Sequence, residues 1–323
     1  MKSLLPPPVK HAALALPWLA AVAVNWLAPD YLGLATSVLT MGLFALSLDL
    51  ALGHGGIVTL GHGAFYGIGA YAAGIFAIHA WSDPLAGLVA ATALAGVIGT
   101  VSGLVILHTS GLTLMMLTLA VASMVAEFAN SARDLTGGDD GLTDIHPSPV
   151  LGLFKFDLWG HTAYLYTLAI IFVWTMVAWR ILKSPFGRTL DGIRQNPARM
   201  LAIGTPVRAR LIAAYVLSAA MAGSAGALSA QATRTVSLTS LGVLNSGTVL
   251  MVVVLGGLRR RWGGYLGALV FVVGQNFAAE IDPFRWMLVI GLMLIAVVMF
   301  FQNGLAGLVD LIGGRALASK AGE

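Results

Sequence analysis

Apolar runs of about 20 residues recur along the chain between short polar segments, and none shows the two-residue alternation of a strand over ten positions. Runs of that length suit helices crossing a hydrocarbon layer of ~30 Å, and the missing alternation points away from a membrane barrel. The pattern predicts an all-α, polytopic helical membrane protein with ten spans. These lie at about 11–28, 33–52, 63–80, 85–107, 112–130, 162–182, 211–230, 240–258, 262–280 and 284–301. They form a single transmembrane domain, 1–323, with its longest polar interruptions at about 131–160 and 183–210. The eighth span is the weakest, because TSLGVLNSG opens it. The basic start MKSLLPPPVK runs into the first apolar stretch and onward into further spans, so it reads as the beginning of the bundle rather than a cleaved leader.

Composition strengthens this picture. Hydrophobic residues make up 58% of the chain and charged residues 10%, with a mean hydropathy of +0.87. Soluble domains carry about 25% charged residues, so lipid must cover much of this surface. The chain has no cysteine, which excludes disulfides, thiolate metal sites and cysteine nucleophiles. No Ser/His/Asp set, carboxylate pair or metal-ligand spacing marks an intramembrane enzyme, so no catalytic residue, metal or cofactor is expected. No GxxxxGK[ST] phosphate loop is present, so any ATP that drives the protein sits on a partner chain.

The net charge of +4 matters through its distribution and implies no nucleic-acid partner. The segment 183–210 carries Lys183, Arg188, Arg194, Arg199, Arg208 and Arg210 against Asp191 alone, which places it in the cytoplasm by the positive-inside rule. Counting spans from there puts Arg259–Arg261, Arg315 and Lys320 inside, together with Lys2 and Lys10. The loop at 131–160, with Asp134, Asp139, Asp140, Asp144 and Asp157 against Arg133 and Lys155, falls outside. Both termini are therefore expected in the cytoplasm.

Within the basic loop, Ser184-Pro185 and Asn196-Pro197 each place a capping residue before a proline at the first helical position. Gly204 stands where a left-handed residue would end a helix. Two short helices follow, about 185–195 and 197–203. A solvated loop that merely obeys the orientation rule is one reading; a shaped surface for a cytoplasmic partner is the other.

The stretch GHGGIVTLGHGAFYGIGAYAAG, 53–74, sets eight glycines and two histidines in an apolar region. Non-helical backbone at membrane depth survives only where protein or a water-filled cavity shields it. Residues 53–63 thus read as a shielded break between spans two and three, in which Thr59 satisfies a freed carbonyl. Gly63, Gly67, Gly69 and Ala73, then Ala219, Gly223 and Ala227, then Gly263 and Gly267 have small-residue spacings that let helices approach closely. His54 and His62 are expected to hold the break in shape by hydrogen bonding. A proton relay would want an acid at mid-membrane, and Asp49 and Glu127 lie near span ends. His146 and His161 read as surface residues. The break is a lining or a hinge, since transport proteins build sites from discontinuous helices.

Five segments in register are similar to the permease subunits of branched-chain amino-acid ABC importers, the LivM-like group. They are the glycine-rich stretch at 53–74, LTGGDDGL at 135–142, SPFGRTLDGIRQNPARMLAIGTPVRARLIAAYVLSAAMAGSAGAL at 184–228, MVVVLGGLRRRWGGYLGA at 251–268 and FQNGLAGL at 301–308. The resemblance implies a bacterial inner-membrane permease working with a second, related permease, two ATP-binding subunits and a periplasmic or extracellular solute-binding protein. It also implies that 184–204 couples to the ATPases, with Arg188, Arg194, Asn196 and Gly204 most family-like. Gly53, His54, Thr59, Gly61, His62 and Gly63 would lie near the transport path. Arg259–Arg261 is more basic than the resemblance leads one to expect at that turn, and Asp49 stands where a neutral polar residue would be less surprising. The group also includes permeases for urea and aromatic acids. A proton-coupled secondary carrier is the alternative of a different class, and a channel or membrane scaffold is a third.

Overall fold

The computed structural model describes residues 7–143, 145–149 and 160–282, with isolated positions at 154 and between 287 and 307, and side chains from residue 17 onward. The tenth predicted span, 284–301, falls outside all but isolated described positions, as do the charges of both termini.

The described chain is helical. Helix α1 spans Pro7–Leu27, α2 Leu32–Leu48, α3 His62–His79, α4 Pro84–Ile106 and α5 Leu112–Ser131. After the acidic loop come α6, His161–Lys183, the two short helices α7, Pro185–Gln195, and α8, Pro197–Ala202, then α9, Val207–Thr233, α10, Val243–Gly256, and α11, Gly263–Ile281. Local chemistry sets several of these boundaries. Asp83 accepts from the Leu85 amide at 3.0 Å ahead of Pro84, starting α4.

Among the described residues, six helices are long and apolar enough to cross a membrane: Pro29–His54, which contains α2, together with α4, α5, α6, α9 and α11. The full count of ten is therefore not reached. Helix α3 matches the third predicted span in position, but its glycines, tyrosines and histidines dilute its apolar character. Helix α10 has 14 residues, about 21 Å of helix, which is short of a ~30 Å layer. Its polar opening residues instead form a turn at Leu238–Ser240.

Helix α9 runs through the centre, packed on α2, α3 and α4. Small residues make this geometry available. A Cβ on Gly69 would overlap the Gly223 backbone, one on Gly223 would overlap Ala95, and one on Gly226 would overlap the Tyr66 carbonyl. The α10–α11 crossing repeats the device, with Gly256 against the backbone of Gly263 and Gly267. Elsewhere the crossings are filled by large side chains: Trp179 stands edge-on to Trp262 at 5.0 Å, and the Tyr265 ring lies against Gly42.

The acidic loop folds back on the connection between α9 and α10. Leu142 and Val236 exchange backbone hydrogen bonds of 2.8 and 2.9 Å, and the Ser148 amide donates to the Ser82 carbonyl at 2.7 Å. Ile145 is fully buried beneath this tie.

Candidate functional site

The end of α2 does not stop cleanly. Residues Asp49–His54 widen into a π-helical turn, in which the Gly55 amide reaches the Leu50 carbonyl at 3.1 Å and the Ile57 amide reaches Ala51 at 3.0 Å. Wide turns of this kind commonly mark functional positions. The chain then runs without regular structure to His62, where α3 begins. Its freed amides find side-chain hydroxyls: Leu60 donates to Thr118 Oγ1 at 3.2 Å, Gly61 to Thr59 Oγ1 at 3.1 Å and Gly63 to Ser246 Oγ at 2.8 Å. Thr59 thus serves an amide rather than the carbonyl expected from the sequence. The reason is positional, since the orphan groups at a helix start are donors. Gly61 lies against the Thr118 carbonyl and Gly63 against Gly242 and Ser246, so both are packed in protein.

His62 is fully buried. Its Nε2 lies 2.9 Å from Ser47 Oγ, and the Ser47 hydroxyl gives its single hydrogen to the Phe44 carbonyl at 2.6 Å. The imidazole therefore donates from Nε2, and its Nδ1 is left unpartnered among the described residues. Its ring stacks on Phe44 at 5.6 Å and meets Phe65 edge-on at 5.9 Å. His62 clamps α3 to α2 across the break.

His54 takes its partner from the basic loop. Its Nδ1 lies 3.2 Å from Asp191 Oδ1 on α7, and the same oxygen accepts from Arg259 Nη2 at 2.7 Å. The Arg259 backbone amide donates to Asp49 Oδ1 at 2.9 Å, while its own φ is +61°. Asp49 is buried, and its carboxylate occupies the space that a Cβ on Gly53 would need. Asp49, His54, Asp191 and Arg259 therefore form one cluster that joins three segments. Arg194, one turn along α7 from Asp191, runs its side-chain stem past Gly56 inside the break; a Cβ there would sit 3.2 Å from Arg194 Cγ. Arg261 places its guanidinium 4.6 Å from the Trp179 ring, so Arg261, like Arg259, is tied into the surrounding structure.

The basic loop carries the anticipated caps. Ser184 Oγ accepts from the Phe186 amide at 3.2 Å, and Asn196 Oδ1 from the Arg199 amide at 2.9 Å. Gly204 ends the second helix with φ +83° and nothing near its Cβ position. Arg188, Arg194, Asn196 and Gly204 are all exposed, and Leu201 and Ile203 beside them are 60% and 69% exposed. Sequence reading had not singled out Asp191, Arg259, Leu201 or Ile203 as site residues. Asp191 was visible as the one acid in a basic loop.

A family model for the permease component of branched-chain amino acid transport systems matches residues 31–298. The chain belongs to that family. It is 28% identical over 309 residues to the high-affinity branched-chain amino acid transport system permease protein LivM of Escherichia coli strain K12, covering 87% of this chain and 72% of that one. It is 29% identical over 310 residues to the protein of the same name from Salmonella typhimurium strain LT2, with the same coverage of each. No solved structure matches the chain. Family membership makes this protein the membrane permease component of an ABC-type importer rather than its ATPase, and such an importer works with an ATPase and a solute-binding protein. Among the described residues, no group of three or more His, Cys, Asp or Glu side chains is arranged to hold a metal ion.

Proposed function

We propose that this chain is one of two related permeases enclosing the path of an importer for branched-chain or similar aliphatic amino acids in the bacterial cytoplasmic membrane. Both termini face the cytoplasm, two ATP-binding subunits dock below on the basic loop, and a solute-binding protein delivers cargo above. This chain binds no cofactor itself; ATP sits on the partners. The observation that carries the reading is the seating of α7 on the membrane break through Asp191–His54, Asp191–Arg259 and Arg194–Gly56. Arg188, Arg194, Asn196 and Gly204 belong to the docking face, and exposed Leu201 and Ile203 give it apolar anchors. Gly53, His54, Thr59, Gly61, His62 and Gly63 act as the hinge beside the path. Closure of the ATPase pair pushes on α7, the push enters the π-helical turn, and α3 shifts against α2 and α9.

Uptake of radiolabelled leucine by cells with the chain present or deleted tests this, with competition by urea and benzoate and with ATP depletion as a control. Uptake that needs the chain and ATP, and yields to aliphatic amino acids alone, agrees with the proposal. Competition by urea or benzoate changes the cargo. Uptake that survives ATP depletion and collapses with the proton gradient refutes the coupling mechanism.

A further inference from the structure

A cleft of about 440 Å³ opens between α2, α3, α9, α10 and α11, within the range of roughly 300–1,000 Å³ usual for small-molecule sites. It lies away from the basic loop: Ser37 on its wall is twelve residues, about 18 Å of helix, from Asp49. Its lining has an unusual character for a surface at membrane depth. Ser37, Tyr66, Ser229, Asn245, Gln275 and Asn276 all face it, and no charged side chain does. Amides and hydroxyls do not turn to lipid without loss, so such a wall is shielded or wet.

The polar groups are set out for two opposite charges. Asn245 Nδ2 donates to the Ser240 carbonyl at 2.9 Å and Asn276 Nδ2 to Glu280 Oε1 at 2.9 Å. Their carbonyl oxygens are left without protein partners among the described residues, as acceptors for an ammonium group. Gln275 makes no hydrogen bond among the described residues, so its NH2 is free to donate to a carboxylate. Leu34, Met41, Val272 and Ala279 supply an apolar wall. The floor is connected to the break: the Tyr66 ring packs on Phe44 at 4.6 Å, and Phe44 stacks on His62.

We propose that this cleft holds an aliphatic amino-acid zwitterion during transit. The inference rests on the permease reading above and adds to it a place and a chemistry: no net charge, with one apolar side chain. An anionic amino acid would bring an unbalanced charge to a wall whose nearest charged group, Glu280 behind Asn276, is itself negative.

The cysteine-free chain makes the test direct. Ser37→Cys in the assembled transporter, reconstituted in liposomes, should react with a small water-soluble thiol reagent, and saturating leucine should slow that reaction ~10-fold while glutamate does not. No reaction, or a rate that leucine leaves unchanged, overturns the proposal. Gln275→Leu should raise the KM for leucine ~10-fold, the loss of one charge-assisted hydrogen bond, while the partner subunits still co-purify. An unchanged KM overturns the proposal, and so does loss of the second permease on purification, which would make the cleft a subunit interface. Failure of the permease reading looks different, because the unsubstituted chain would then support no ATP-dependent leucine uptake at all.

Discussion

If α7 drives the membrane break through Asp191 and Arg259, removing their pairing should harm transport far more than stability. The carboxylate and guanidinium are 2.7 Å apart, with side chains 32% and 38% exposed. Solvent screens a pair this open, which limits its contribution to about 0.2–1 kcal/mol. Arg259→Gln removes the charge but keeps the backbone amide that donates to Asp49, so the anchor of the turn survives. Asp191→Asn keeps a polar group beside His54. Each variant should therefore fold, and a double-mutant cycle on thermal unfolding in detergent should give a coupling of about 0.5 kcal/mol. The informative readout is the number of ATP molecules hydrolysed per leucine transported in proteoliposomes. Each single variant should raise that ratio several-fold while the ATPase subunits remain bound. An unchanged ratio in both variants, with stabilities that add within ~0.3 kcal/mol, would show that the bridge carries no mechanical signal.

Gly69→Val should drive a branched side chain into the Gly223 backbone and destabilise the bundle by about 1–3 kcal/mol or more, seen as a lowered melting temperature. Gly247→Ala, with open space around its Cβ position, should melt like the parent; equal effects from both would discredit the contact map. Asn196→Ala removes the cap on α8 and should weaken that helix by about 0.5–2 kcal/mol, read as faster limited proteolysis between 196 and 204. Leu201→Asp combined with Ile203→Asp should leave unfolding unchanged, because both side chains are exposed, yet abolish co-purification of the ATPase subunits. Retention of those subunits would remove the pair from the docking face.

The parts legible in the sequence are those specified by neighbours along the chain. Ser184-Pro185 and Asn196-Pro197 announced α7 and α8 because a cap and a proline act within one turn. The break at 53–63 was legible because glycine and histidine are out of place in an apolar run. The cluster was not, since Asp191 meets His54 across 137 residues and Arg259 meets Asp49 across 210, and no local spacing encodes such pairs. Their trace was charge in the wrong place: one acid in a basic loop, one acid at a span end and an extra-basic turn. The cleft left a fainter trace still, because Ser37, Asn245 and Gln275 lie on separate helices, each individually unremarkable. At α10 the helix is shorter than the apolar run suggested, because it begins only after the polar turn at Leu238–Ser240.

The contact of Gly69 with Gly223 has a mechanical consequence. Helices that interlock by knobs and grooves can slide only by lifting one row of side chains over another. Where both partners present bare backbone there are no teeth to climb, and two smooth rods meet along a line. This glycine contact lies on α9, beside the edge-on pair of Phe65 and Tyr215 at 5.4 Å, while the crossings of α2, α6 and α11 are filled by large aromatic side chains. If force reaches the break as proposed, the bare-backbone stretch of the α3–α9 contact is where the helices can slip with few side chains to repack, and the aromatic crossings around it hold their positions.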